Sequence, residues 1–392
     1  MHFFSKVANP VAQCLTSACA LPYRTFAFPS HPFMIMKRAS MSMRVAIFCT
    51  LVAFSAACTP SETNICMTVD LHAGESGYYK LDRGTGITTA GPSPDLKLKI
   101  GTTYTFDQSH ATNWYHAVGF AYFPDGAHGD DWGGDERDEV EGLGELLYKI
   151  DGKETTCPDA GDTGLDCYEP DFFLPREEWK AKIYTAELTI TDKVASESKG
   201  GVLYYFCHIH SKMSGKIIIE NADGSAYSSS STQLSLYAPT TNAVFDTACG
   251  TTGISPFQVG GVKRCNMNFF GGEKNTDFEK CLHAIDCQMH WDMYTETTPD
   301  SNKIVTFMQQ MIPHHQNAVN MAKLLLKHAT TVEIDAVEGL EDILHNIINT
   351  QNYQIHQFRN YLNGAAVDKL LEDPEIIPPS TSASTFAPGA TL

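Results

Sequence analysis

The hydrophobic period changes once along the chain, and that change calls for two different kinds of structure. Up to Asn221, apolar residues recur at every second position in short runs: "DLKLKIGTTYTFDQ" from Asp95 to Gln108, then "YHAVGFAYF", "TAELTITD", "GVLYYFCHI" and "GKIIIEN". A period of two with turn residues between the runs predicts short strands, packed as a sandwich or barrel. The Gly101 turn inside the first run predicts a hairpin. Beyond Asn275 the spacing becomes three to four residues. "SNKIVTFMQQMIPHHQNAVNMAKLLLKH" and "EGLEDILHNIINTQNYQIHQFRNYL" are therefore expected to be amphipathic helices. The Ser/Thr-rich, nearly uncharged stretch 223–248 reads as a linker, and the Pro/Ser/Thr-rich stretch 367–392 as a disordered tail.

A chain of 392 residues is too long for one ordinary core, which agrees with two domains. The expected organisation is an all-β part at 66–222, carrying an acidic insertion at 124–172, followed by an all-α part at 249–366. Residues 125–171 hold sixteen Asp or Glu against Arg137, Lys149 and Lys153. With a formal charge of -18, the chain has no basic face for nucleic acid. "DGAHGDDWGGDERDE" has oxygen ligands in a Gly-rich loop that could hold calcium. It lacks the spacing of an EF-hand loop, so a solvated, partner-repelling or partner-selecting surface is the favoured reading.

No acidic residue precedes Glu62. Within that stretch "MSMRVAIFCTLVAFSAAC" has a basic start at Arg44, an apolar run from Val45 to Phe54 and small residues Ser55 and Ala57. Residues 1–57 thus read as a targeting extension ending in a secretory signal, with no membrane span in the mature chain. Periplasm, extracellular space and an organelle lumen all fit. The twelve cysteines agree with an oxidising compartment. After cleavage at Ala57, setting Cys207 aside leaves eight, enough for four disulfides, and Cys157 with Cys167 bracket a Gly/Asp-rich loop.

"YYFCHIHSKMSG", residues 204–215, packs a thiol, two imidazoles and a thioether where a strand should turn. Such soft donors select copper over harder cations. Cys207, His210 and Met213 can converge from one short loop, with a second His supplied by another strand. "YYFCHIHSKMSGKI" resembles the ligand loop of the cupredoxins (plastocyanin, amicyanin and relatives). "LKLKIGTTYTFDQSHATNWYHAVGF" is similar to the paired strands that deliver that family's first His. The resemblance covers roughly 66–222 and implies a Greek-key sandwich holding type 1 copper on His116, Cys207, His210 and Met213, with His110 the competitor of His116. "FCHIH" also resembles an element of multicopper oxidases, but those need further His-x-His pairs, and only His208 with His210 forms one here. Strand alternation turns His208 away from the Cys207 side, as a surface histidine.

A second constellation lies on the first long helix. At about 100° per residue, Met308, Met311 and His315 fall within about 60° of one another, and His314 lies about 20° from Met321. Upstream, "CQMHWDM" puts Met289, His290 and Met293 on about one turn. A Met stripe is equally a way to fill a core. His345 and His356 share one side of the later helix but are about 16 Å apart, too far to share an ion. "FMQQMIPHHQNAVNMAKLLL" and "MHWDM" resemble the ferritin-like family of unknown function numbered 305, which includes CopM-type periplasmic copper-binding proteins. The resemblance covers roughly 276–365 and implies a four-helix bundle binding copper or silver through Met and His. The family's closing helix has a Gln, an acidic residue and a Met at fixed intervals; Gln351 keeps the first, while Gln354 and Phe358 stand at the others.

The function expected is a secreted copper-binding protein that sequesters copper or hands it on. The alternative is a blue copper electron-transfer protein with a structural helical domain, its acidic surface steering a cationic redox or copper-transfer partner. The sequence supplies no evident acid–base pair or substrate pocket, so an enzyme is the weakest expectation. A second soft-ligand domain serves sequestration better than electron carriage.

Overall fold

The computed structural model describes residues 58–84, 93–128, 145–156, 164–198, 200–228, 243–258, 276–295, 297 and 302–372. Among the described residues ten strands come first: β1 Asn64–Asp70, β2 Tyr78–Asp82, β3 Leu96–Lys99, β4 Thr103–Asp107, β5 Val118–Ala121, β6 Leu146–Ile150, β7 Lys153–Glu154, β8 Tyr184–Thr189, β9 Val202–Cys207 and β10 Gly215–Glu220. Short helices α1 Leu165–Tyr168, α2 Arg176–Trp179 and α3 Asp192–Glu197 lie among them. The chain then continues as α4 Val244–Cys249, α5 Asp277–Thr295, α6 Lys303–His328, α7 Thr331–Asp335 and α8 Leu340–Glu372. A sheet-rich N-terminal region is thus followed by a helical C-terminal region.

The strands form a six-stranded sheet, β2-β1-β4-β8-β6-β7, and a four-stranded sheet, β3-β10-β9-β5. Alternation in β1, β8 and β10 buries every second residue. The buried faces meet: Tyr79 packs against Tyr205 at 6.1 Å, and Phe106 against Phe120 at 4.7 Å, each pair joining one sheet to the other.

The hairpin expected at Gly101 does not form. β3 pairs in parallel with β10, whereas β4 pairs with β8 in the other sheet. The turn carries the chain across the core, from one sheet to the other, and alternation alone cannot tell this from a hairpin. The acidic segment, expected as an insertion between strands, itself supplies β6 and β7, and β6 pairs along its length with β8. Of the calcium-type loop at 125–139, residues 129–139 lie outside the described residues.

α6 starts at an Asn302 cap that accepts from Ile304 N, and it runs unbroken through buried Pro313. Thr330 and Glu333 close a capping box on α7. Cys249–Cys281 ties α4 to α5, Cys58–Cys66 ties the segment just before β1 to that strand, and Cys167 is also disulfide-bonded. Cys265 lies outside the described residues. Val319 and Ala322 of α6, with Leu344 and Ile348 of α8, belong to the same buried cluster as the sheet core. Polar ties flank it: Arg176 donates to Asp342 at 2.5 Å and Glu341 at 3.0 Å, and Arg359 pairs with Glu75 at 2.9 Å. No helix among the described residues is long and apolar enough to cross a membrane.

Candidate metal centre

All six residues of β9 are buried, and Cys207 ends the strand. Antiparallel pairing sets Val118 of β5 opposite Cys207, so His116, two residues earlier, arrives beside the sulfur. The loop from 208 to 214 then turns back to β10 and brings His210 to the same point. Its turn is made by Lys212 at φ 65°, while Tyr115 beside His116 has φ 66°. Left-handed backbone at non-glycine residues is costly and persists only where surrounding structure fixes it. Asp125 contributes here by accepting from Lys212 N at 2.7 Å.

Cys207 Sγ lies 3.7 Å from His116 Nδ1 and 3.8 Å from His210 Nδ1. Both rings present the same nitrogen to the sulfur, their centroids are 4.7 Å apart, and all three residues are fully buried. Among the described residues, these three are the one group of three or more His, Cys, Asp or Glu whose donor atoms converge closely enough for an ion. Met213, six residues beyond the cysteine, is fully buried in the same cluster. Metal–nitrogen bonds of about 2.0 Å and a metal–sulfur bond of about 2.3 Å, at angles of about 110–120°, separate sulfur from nitrogen by about 3.5–3.7 Å. The donor set therefore fits a single tetrahedral or trigonal ion, and a thiolate with imidazoles suits copper or zinc.

The backbone around these donors is held from several sides. The His116 carbonyl accepts from Tyr79 Oη at 2.8 Å and from Gln108 Nε2 at 2.6 Å. His210 N donates to Cys207 Sγ at 3.3 Å, and His128 Nε2 donates to the Cys207 carbonyl at 3.1 Å. Burial pushes the Cys207 thiol up to about 12 and brings His210 down to about 4. Burial, then the neighbouring His210 ring, holds His116 well below the ordinary imidazole range. Without an ion the cluster is a thiol between neutral imidazoles, and an ion bound through the sulfur must displace that proton.

His110 stands apart: it caps the short 3-10 helix Ala111–Asn113 and is exposed. His208 pairs with Glu169. On the helices, His290, His314 and Met321 are exposed, while Met289, Met293, Met308, Met311 and His315 are partly buried. His315 Nδ1 meets Gln351 Oε1 at 3.0 Å, and its ring stacks on Phe358 at 6.1 Å. His345 and His356 both turn toward the sheet region: His345 is buried near Glu341, and His356 packs on His128 at 4.7 Å. Sequence reasoning missed Gln108, Tyr79 and Asn349, which all lie within reach of the site.

The family model described as "Domain of unknown function (DUF305)" matches residues 305–376, a span covering most of α6, α7 and α8. No curated protein and no solved structure matches the chain.

Proposed function

We propose that the protein binds copper, through a type 1-like site in the sheet region and Met/His donors on the helices, and that it sequesters the metal or hands it on. The two facing sheets are read as a cupredoxin-type Greek-key sandwich, and the helices as a ferritin-like four-helix bundle. One observation carries the reading: a buried Cys207 outside any disulfide, with two imidazole Nδ1 atoms at 3.7 and 3.8 Å. A structural cysteine has no need of two nitrogens turned onto it, and buried polar atoms are otherwise costly to place. His116, Cys207 and His210 would hold the ion, with Met213 the axial donor. These soft donors would hold copper as Cu(I) or as Cu(II).

Disulfides at Cys58–Cys66 and Cys249–Cys281 support an oxidising location, whether secreted, periplasmic or in an organelle lumen. Electron transfer to a cationic partner is the second reading, on the strength of the acidic balance. Against it stands His210, whose second nitrogen is turned onto Asn349 of α8 and not onto a free surface. Copper counting decides between them. Sequestration predicts an intense visible band that disappears in Cys207→Ser, together with further copper that the variant still takes up. One coloured copper with no further uptake would put electron transfer ahead. A band that survives in Cys207→Ser would overturn the site.

A further inference from the structure

Asn349 of α8 is 2% exposed and lies against the His210 imidazole. Its backbone carbonyl meets His210 Nε2 at 3.1 Å. A carbonyl can only accept, so that nitrogen carries the hydrogen, and the Nδ1 facing the sulfur is left with its lone pair. Its side-chain Nδ2 donates to the Trp114 carbonyl at 3.1 Å, which fixes the amide's orientation and leaves Oδ1 over. Two buried polar atoms at this place lack partners: Asn349 Oδ1 and His116 Nε2. These are orphaned groups of opposite kind on residues gathered about the same pair of rings, and in a dry interior they invite a hydrogen bond as soon as the ring presents Nε2–H.

We propose that Asn349 is a positioning residue for the metal site, its side-chain oxygen accepting from His116 Nε2–H and its backbone carbonyl from His210 Nε2–H. One helical residue then sets the tautomer of both imidazoles, with each Nδ1 bare toward Cys207. The helical region becomes part of the metal site and not a neighbour of it. This rests on the metal reading above. Acceptors on the far nitrogen of a ligating histidine raise its basicity, and an oxidised, more highly charged ion gains more from that than a reduced one.

The test uses the full chain, as wild type, Asn349→Leu and Asn349→Asp, with Cu(II) and Cu(I) affinities measured by chelator competition. Asn349→Leu should weaken Cu(II) binding by about 10- to 100-fold, with a smaller loss for Cu(I). Asn349→Asp, which keeps an oxygen there, should bind Cu(II) more tightly than Asn349→Leu. Parallel loss of both affinities, or identical behaviour of the two variants, would reduce Asn349 to a structural residue and overturn the proposal. In case Asn349→Leu does not fold, the wild type loaded with Cu(I) gives a second readout. Proton–nitrogen NMR should then show exchange-protected Nε2–H signals for both His116 and His210, and a missing His116 signal contradicts the proposal. A wild type that takes no copper at Cys207 removes the underlying reading and this inference together. A wild type that does, with an indifferent Asn349, removes only the inference.

Discussion

Gln108 donates to the His116 carbonyl at 2.6 Å and accepts from Val118 N at 3.0 Å and Tyr168 Oη at 3.2 Å. Replacing it by Leu strands two buried donors and takes one of the two donors from the carbonyl that fixes His116. Folding stability of the metal-free protein should drop by about 2–4 kcal/mol in denaturant titrations. Gly215 has a different role from the one its position suggests. It stands where the ligand loop meets β10, yet Lys212 makes the turn. A Cβ on Gly215 would lie 2.1 Å from Tyr205 Oη, which donates to the Pro94 carbonyl at 2.7 Å. Gly215→Ala should therefore cost about 1–3 kcal/mol, through the displaced ring. The closeness of Cys207 and His210 was legible because one short segment carries them. Gln108, Tyr79 and Asn349 were not, because an amide or a phenol has no distinctive spacing and meets the site only through the fold.

Among the elements, the strands of the sheet region were readable wherever alternation was clean, as in β8 and β10. Their partners were not, because the turn at Gly101 looks the same whether it closes a hairpin or passes the chain between sheets. β6 escaped notice because acidic residues surround it, and its burial comes from pairing with β8 rather than from its own flanks. α8 was legible as a helix, but not as the element that covers His210. Ile348 of α8 is fully buried in the cluster shared by sheets and helices. Ile348→Asp forces a carboxylate into that cluster and should cost at least about 3 kcal/mol, with weaker metal retention alongside. The Cys249–Cys281 bridge spans 32 residues of separation. Its loss in a Cys249→Ser/Cys281→Ser double variant should lower stability by about 2–4 kcal/mol, read from the unfolding of the helices by circular dichroism.

At the scale of the whole molecule, Glu75 joins the two regions. Gln316 and Arg359 hold its carboxylate at 3.0 and 2.9 Å, and Lys323 and Asn352 hold its backbone carbonyl at 2.7 and 3.2 Å. Partial burial works to raise its pKa, but Arg359 and then Gln316 outweigh that, and the net direction is downward. A carboxyl depressed on folding contributes stability above its unfolded value of about 4.3, and the contribution is lost as pH falls through the folded value. Stability should thus fall as pH drops from about 5 toward 3, and Glu75→Gln should be less stable near neutrality with a shallower acid slope. A pairing between residues 75 and 359 cannot be seen in one sequence, and it adds a polar tie between the sheet region and α8. His116, Cys207 and His210 are the three donors that this assembly encloses. X-ray absorption at the copper edge, on protein loaded with one equivalent, reads those donors themselves. One short sulfur scatterer at about 2.1–2.3 Å is expected with two imidazole nitrogens at about 2.0 Å, the sulfur vanishing in Cys207→Ser. A first shell of nitrogen and oxygen alone would contradict this donor set.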